Sequence, residues 1–136
     1  MSIHLSNDLT HLKKEILTLG SMVEESINKA ILATVNRRTE LCKEVIDGDT
    51  TIDKKELEVE DACLKILALH QPVAVDLRYI ITVLKVNNYL ERMGDLATSV
   101  AESALYISKR QPVKPLIDIP VMGRKAVSML KEAIRS

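Results

Sequence analysis

Residues 49–95 read DTTIDKKELEVEDACLKILALHQPVAVDLRYIITVLKVNNYLERMGD, and this stretch is organised about Pro72. Asp53 and Glu91 each lie 19 residues from Pro72, and Asp49 and Asp95 each lie 23 residues from it. If both arms are α-helices that meet at a turn, equal counts predict equal heights, because each residue rises about 1.5 Å. The two carboxylate pairs then face each other roughly 30 Å from the turn. Four acids at one height are costly without a cation, so the stretch predicts an ion site.

Each pair has the pattern Asp/Glu-x-x-x-Asp, which places both acids on one face of a helix. Elsewhere these faces are apolar, since Ile81 and Leu84 precede Glu91 along its predicted helix. The spacing leaves a structural alternative open. In that alternative the acids form a solvated face, and Glu91 pairs with Lys85 or Arg92.

The composition predicts an all-α fold. The 136-residue chain contains no Phe or Trp, so aliphatic side chains must build the core. Four Gly and four Pro leave little material for β-hairpins. We expect an up-down-up three-helix bundle, with helices of spectrin-like length and a partial fourth helix. The predicted helices cover 8–37, 40–70, 72–110 and a segment from about 120, and the second continues through Asp47-Gly48-Asp49 despite poor helix propensity.

Charge and hydropathy narrow the class of protein. The 19 basic and 19 acidic residues balance, which argues against nucleic-acid binding. Residues 1–14 lack the apolar core of a signal peptide, and the longest strongly apolar run, 79–84, is far too short to span a membrane. Cys42 and Cys63 are 21 residues apart on one predicted helix, so they cannot form a disulfide. We therefore expect a cytoplasmic protein with reduced thiols, peripheral to the membrane at most.

The chemistry of the acids favours hard cations, since oxygen ligands suit Mg, Mn, Ca or ferric iron. His70 lies at the turn, roughly 30 Å from the predicted cluster. The sequence shows no Gly-rich phosphate loop, no Ser/His/Asp set and no activated Cys, so no catalytic residue is assigned and the protein is expected to be non-enzymatic. Two alternatives remain: a carboxylate bundle that binds metal or performs redox chemistry, and a purely structural helical adaptor.

The sequence closely resembles the PhoU family of bacterial phosphate-signalling regulators in QPVAVDLR (71–78) and LERMGD (90–95). Asp49-x-x-Ile52-Asp53 fits the family pattern too. The resemblance implies three-helix bundles whose acidic motifs hold an iron or zinc ion or cluster, with Asp49, Asp53, Glu91 and Asp95 as the metal ligands. It also implies two partners, a phosphate ABC transporter and a sensor histidine kinase, and restraint of the phosphate-starvation response.

A weak internal repeat marks the end of the chain. Gly123 and Ile134 follow Gly20 and Ile31 at a constant offset of 103 residues. We therefore divide the chain into a PhoU-like three-helix bundle (1–111) and a linker with the start of a second, incomplete helical repeat (112–136). The apolar residues of 120–136 are expected to cover the first bundle or to pair with another copy, so a homo-oligomer is predicted.

Overall fold

The computed structural model describes residues 3–110 and 119–135. It contains the α-helices α1 (Ile3–Val35), α2 (Thr39–His70), α3 (Ala74–Ser108) and α4 (Ile119–Arg135). The connections between the first three helices are only three residues long, so these helices run up, down and up. Each of the three packs against the other two. The structure confirms the predicted all-α three-helix bundle with a fourth helix.

The turn between α2 and α3 uses three non-helical residues. Gln71 adopts the left-handed region (φ 44°), and its backbone N–H donates to the Leu67 carbonyl oxygen at 3.2 Å. Val73 is extended (φ −123°, ψ 166°) and occupies the N-cap, so α3 begins at Ala74. The prediction that Pro72 is the first helical residue is wrong, because Pro72 is buried within the turn itself.

The second helix is continuous through Asp47-Gly48-Asp49, as predicted. Its low local propensity is outweighed by packing, because most helical stability in proteins comes from burying an apolar face. The buried apolar residues of α2 lie on both sides of the segment: Cys42, Val45, Ile52, Val59, Cys63 and Ile66. At its start, Arg38 occupies the N-cap position, and α2 begins at Thr39, one residue before the predicted start.

The core is aliphatic, as the absence of Phe and Trp requires. Its largest fully buried side chains are Leu12, Leu19, Val23, Cys42, Val59, Cys63, Ile80 and Leu90. Cys42 and Cys63 are both free and buried, in agreement with the predicted lack of a disulfide. Burial raises the pKa of the Cys63 thiol to about 11, so this thiol remains protonated and unreactive at neutral pH.

A hydrogen bond ties α1 to α2 at the turn end of the bundle. Nε2 of His70, the last residue of α2, donates to Oδ2 of Asp8 at 2.8 Å. No helix in the described part of the chain is both long enough and apolar enough to cross a membrane.

The fourth helix packs along α1 and touches α3 less extensively. Leu130 is only 3% exposed, and Nζ of Lys131 forms a salt bridge with Oε1 of Glu24 at 3.2 Å. The helix therefore covers the first bundle, one of the two arrangements expected of its apolar residues. Residues 112–118, within the segment 112–136 predicted to hold a linker and the start of a second repeat, lie outside the described residues, and that division of the chain stays a prediction.

Candidate metal centre

Three of the four predicted ligands meet between α2 and α3. Asp49, Asp53 and Asp95 each present a carboxylate oxygen, and these three atoms lie within 4.8 Å of one another. Glu91 lies outside this group, but it lines the same cleft as Asp53 and Asp95. The structure thus places Glu91 in one cleft with two of the three clustered aspartates.

No basic side chain of the described structure neutralises these acids. Among residues 3–110 and 119–135, the salt bridges involve neither Asp49, Asp53, Asp95 nor Glu91. Among these described residues, Glu91 therefore does not form the ion pair with Lys85 or Arg92 that the alternative of a solvated acidic face includes. Burial raises the pKa of Asp53 above its ordinary value, and the charges of Asp49, Asp95 and Glu91 raise it further.

Glu56 lines the same cleft and is more deeply buried than the clustered aspartates. Its side chain is 7% exposed, and its Oε1 accepts no hydrogen bond. Burial, followed by the charges of Asp53, Glu91, Asp95 and Asp49, raises the pKa of Glu56 to about 7. A buried oxygen without a donor is destabilising, and a proton or a cation in the cleft would satisfy it.

Asn87 of α3 holds the backbone of α2 at this level. Its Nδ2 donates to the carbonyl oxygen of Glu56 at 3.1 Å, whereas its own buried Oδ1 has no partner. The cleft has a volume of about 310 Å³ and is lined by Asp53, Glu56, Leu57, Glu60, Asn87, Glu91 and Asp95. It therefore combines clustered carboxylates with two buried, unpartnered oxygen atoms.

Thr98 contacts the cluster from α3. Its Oγ1 lies 3.1 Å from Oδ1 of Asp49 and 3.1 Å from the carbonyl oxygen of Gly94. The single hydroxyl proton can be donated to one of these acceptors at a time. Donation to Asp49 fixes the orientation of that carboxylate, which is how residues behind a metal ligand commonly act.

Glu56, Asn87 and Thr98 are site residues that the acidic motifs of the sequence do not include. Glu56 lies four residues after Ile52 and three before Val59, so it occupies an inward position of the buried stripe of α2. That spacing was the available signal, and Asn87 occupies a comparable position in α3. Thr98 carries only the weak signal of lying three residues after Asp95 on one helix face.

The donor set fits a hard cation. Metal–oxygen bonds of such ions are roughly 2.0–2.6 Å long, so two oxygen ligands of one ion lie at most about 5 Å apart. The oxygens of Asp49, Asp53 and Asp95 satisfy this limit at 4.8 Å. The group contains only carboxylates, and His70 is bonded to Asp8 at the opposite end of the bundle. Such a set suits Mg, Mn, Ca or iron better than copper.

Together these features define a class: an antiparallel helical bundle with a carboxylate cluster between two neighbouring helices. The PhoU domain matches residues 16–104. The chain belongs to the PhoU family, and the resemblance of its motifs to that family is confirmed.

Curated relatives support this assignment. The phosphate-specific transport system accessory protein PhoU homolog of Aquifex aeolicus (strain VF5) is 37% identical over 132 residues, covering 97% of this chain and 60% of the relative. The corresponding PhoU protein of Escherichia coli (strain K12) is 33% identical over 127 residues, covering 93% of this chain and 53% of the relative. The chain therefore spans little more than half the length of these relatives.

Solved structures show the same fold. The crystal structure of PhoU from Pseudomonas aeruginosa matches with a TM-score of 0.88 and 30% identity, covering 96% of this chain and 63% of that one. The phosphate transport system regulatory protein PhoU from Streptococcus pneumoniae matches with a TM-score of 0.81 and 30% identity, covering 96% and 61%. The matched region includes nearly all of the present chain.

Proposed function

We propose that this chain is a non-enzymatic, cytoplasmic accessory and regulatory unit of phosphate uptake that binds a metal ion or cluster through Asp49, Asp53, Glu91 and Asp95. The role in phosphate uptake is supported by family membership and by relatives named as accessory proteins of the phosphate-specific transport system. One observation supports the metal site: three carboxylate oxygens lie within 4.8 Å of one another. No salt bridge of the described residues neutralises them.

The proposed ligands come from two helices. Asp49 and Asp53 belong to α2, whereas Glu91 and Asp95 belong to α3. Iron or zinc is the proposed metal, and when bound it supplies the positive charge that the cluster lacks. Ligands from both helices then hold α2 and α3 at one separation, while Thr98 orients Asp49. The shape of the α2–α3 face would thus depend on metal loading.

The proposed partners are a phosphate ABC transporter and a sensor histidine kinase, which the unit couples so that the starvation response stays restrained when phosphate is sufficient. The relative from Escherichia coli is named as an accessory protein of the transport system, which supports the transporter contact. The kinase contact rests on the resemblance of the sequence motifs alone.

Two measurements on the full chain test this proposal. Elemental analysis of the purified protein should find bound iron or zinc, and the Asp53→Asn/Glu91→Gln variant should lose it. In a bacterium that lacks its own PhoU, the chain should restrain a phosphate-starvation reporter and bind the purified transporter. Glu102→Gln is the matched control, because Glu102 is an exposed acid seven residues after Asp95 on the same helix.

The two measurements separate the alternatives. Bound metal without any effect on the reporter or any binding to the transporter would favour a metal-binding or redox bundle unrelated to phosphate signalling. Transporter binding and reporter restraint by a metal-free protein would remove the metal from the proposed function. We expect Asp53→Asn/Glu91→Gln to lose both reporter restraint and transporter binding along with its metal. Glu102→Gln should retain all three.

A further inference from the structure

Two buried acceptors line the cleft between α2 and α3 in addition to the proposed metal ligands. Glu56 and Asn87 are each 7% exposed, and their atoms Oε1 and Oδ1 have no hydrogen-bond partner among the described residues. The carboxylate oxygens that lie within 4.8 Å of one another belong to Asp49, Asp53 and Asp95, so Glu56 is not part of that group. The cleft therefore holds two unsatisfied oxygen atoms that the proposed metal site does not use.

The chemistry of these two acceptors fits a primary ammonium group. Oδ1 of Asn87 and the oxygens of an ionised Glu56 can only accept, so a ligand that satisfies both residues must donate hydrogen bonds or carry positive charge. An ammonium group carries three donors and no acceptor. Its charge would also be attracted by Glu60 and Glu91, which line the same cleft.

The side chain of Leu57 distinguishes an alkylammonium group from a second metal ion. Leu57 lines the cleft and is 61% exposed, so an apolar surface lies beside the two acceptors. A hydrated metal ion gains nothing from a leucine, whereas the four-carbon stem of a lysine packs on apolar surface while its charged end reaches polar groups. The cleft, of about 310 Å³, has room for one such side chain. It therefore fits lysine better than a second metal ion.

The surface around the cleft continues as an apolar groove. On α2, Leu64 follows Leu57 by seven residues and is 50% exposed. On α3, Leu84 precedes Glu91 by seven residues, and Ile81, which is 42% exposed, precedes it by ten. Steps of three, four and seven residues keep side chains on one face of a helix. Because α2 and α3 are antiparallel, both runs lead from the cleft toward the turn between the two helices.

This face of the bundle carries acids and apolar residues but no basic residue. Its positions, spaced by three and four residues along each helix, are Asp53, Leu57, Glu60, Leu64 and Leu67 on α2 and Leu77, Ile81, Leu84, Asn88, Glu91 and Asp95 on α3. The acids lie at the cleft, and the apolar residues extend from it toward the turn. Such a face complements a partner helix that presents lysine and apolar residues on one side.

We propose that the cleft between α2 and α3 binds a lysine side chain from an amphipathic helix of a partner protein. The lysine ammonium group donates to Glu56 and Asn87, and the apolar residues of the partner helix pack on Leu64 and Ile81. Glu56 and Leu64 are eight residues apart, or about 12 Å along α2. The partner helix therefore carries its lysine and its apolar residues about two turns apart on one face.

Bound metal leaves the cleft acidic, so the lysine is expected to bind with and without it. Six acids lie at this level of α2 and α3: Asp49, Asp53, Glu56, Glu60, Glu91 and Asp95. A single divalent ion offsets only two negative charges, and attraction for an ammonium group persists. This contact rests on the proposed function in that it needs a partner protein, but it does not need the metal.

Two peptides that differ in one ammonium group test the proposal on the full chain. The first is a synthetic amphipathic helix of about 18 residues that carries one lysine and, about two turns away on the same face, two leucines. In the second peptide, norleucine replaces the lysine. Isothermal titration calorimetry should show at least about tenfold weaker binding of the norleucine peptide, because it cannot donate to the buried acceptors. At saturation, the NMR signals of the Asn87 side-chain amide should move further with the lysine peptide.

The Glu56→Gln variant tests where the ammonium group binds. It should bind the lysine peptide at least about tenfold more weakly than the parent and the norleucine peptide equally well. Asp61→Asn is the matched control, since Asp61 is an exposed acid of α2 that does not line the cleft. Elemental analysis should find the same metal content in the parent and both variants. A preference for lysine in a chain that binds no metal would support this proposal and contradict the metal site alone.

Several results would overturn the proposal. Equal affinity for the two peptides would show that the groove selects apolar residues alone, and no binding of either peptide would show that this face does not accept a helix. An unchanged affinity of Glu56→Gln for the lysine peptide would place the ammonium group elsewhere. Release of the lysine peptide by one equivalent of Zn(II), or loss of metal from Glu56→Gln, would make Glu56 a metal ligand instead.

Discussion

Asn87 Nδ2 donates a 3.1 Å hydrogen bond to the Glu56 carbonyl oxygen, while Oδ1 of Asn87 and Oε1 of Glu56 accept none. One residue of α3 therefore fixes the backbone of α2 and leaves the adjacent carboxyl group without a donor. The Glu56 carboxyl is held inside the bundle by its neighbours, although nothing in the described structure satisfies its buried oxygen.

The metal-free protein should lose stability as pH rises. The pKa of Glu56 is about 7 in the folded protein against an ordinary 4.5, so between these values the folded chain binds more protons than the unfolded chain. The free energy of unfolding therefore falls with rising pH across this window, by at most about 1.4 kcal/mol per pH unit. The raised pKa of Asp53 acts in the same direction. Urea denaturation at several pH values in the presence of a chelator measures the slope.

The Glu56→Gln variant tests whether Glu56 causes the fall in the free energy of unfolding with rising pH. The substitution keeps the volume of the side chain and removes its charge, so it should flatten the pH dependence. Above pH 7 it should raise the free energy of unfolding of the metal-free chain by about 1–3 kcal/mol, because a buried charge is removed. Glu102→Gln should keep the parental slope. A slope that persists in Glu56→Gln would have to come from other groups.

The clustered acids should destabilise the chain when no metal is bound. Asp53→Asn/Glu91→Gln removes two charges, so we expect its chelator-treated form to melt several degrees above the chelator-treated parent. Added Zn(II) should stabilise the parent by about 2.7 kcal/mol at a free concentration 100 times its Kd, and it should not stabilise the variant. Differential scanning calorimetry provides both comparisons. A parental melting temperature that responds to neither chelator nor Zn(II) would favour a solvated acidic face.

Thr98 should support metal affinity more than folding. Thr98→Val keeps the shape of the side chain but removes the donor to Asp49, so we expect metal affinity to fall about 10-fold or more. Competition with a chromophoric chelator for Zn(II) measures the change. Thr82→Val is the matched control, since the Thr82 hydroxyl donates to the Arg78 carbonyl oxygen on the same helix, in an exposed position. Equal losses in both variants would show that the effect is a general property of α3.

Gly48 should be replaceable by alanine with a gain in stability. Apart from its chain neighbours and the backbone of its own helix, a Cβ at Gly48 would meet no atom within 4 Å, and the residue lies in the interior of α2. Gly48→Ala should therefore raise the free energy of unfolding by about 0.5–1 kcal/mol, because glycine is the more flexible residue in the unfolded chain. Gly123→Ala is the contrasting variant, since its Cβ would overlap Ile31. Loss of stability in Gly48→Ala would indicate a kink at this residue.

Counting residues from Pro72 predicted the level of the bundle at which the acids cluster. It did not predict which of the four carboxylates lie closest to one another. The equal heights of Asp53 and Glu91 assumed two helices that extend directly from Pro72. The chain instead needs left-handed Gln71 and extended Val73 before α3 can begin. Asp95 therefore joins Asp49 and Asp53, and Glu91 lies beside the group.

Other features depend on tertiary contacts that spacing cannot supply. An acid between apolar positions, such as Glu56, can face either a core or a solvated groove, and the local pattern is the same in both cases. The repeat shows that α1 and α4 carry similar residues, but it does not show that Gly20 and Ile134 touch. Helix type and length were predictable because periodicity and turn residues are local properties.

The buried positions of α2 alternate in steps of three and four residues, which is the heptad spacing of a coiled coil. The seam residues are the buried Cys42, Val45, Ile52, Glu56, Val59, Cys63 and Ile66, together with the half-buried Asp49. Each helix of the bundle places one polar residue among its buried positions: Ser26, Glu56 and Asn87. A slip by one heptad would carry the charge of Glu56 into a purely aliphatic layer and separate it from Asn87. Glu56, which lines the cleft beside the proposed metal ligands, therefore also favours a single axial register of the three mainly aliphatic seams.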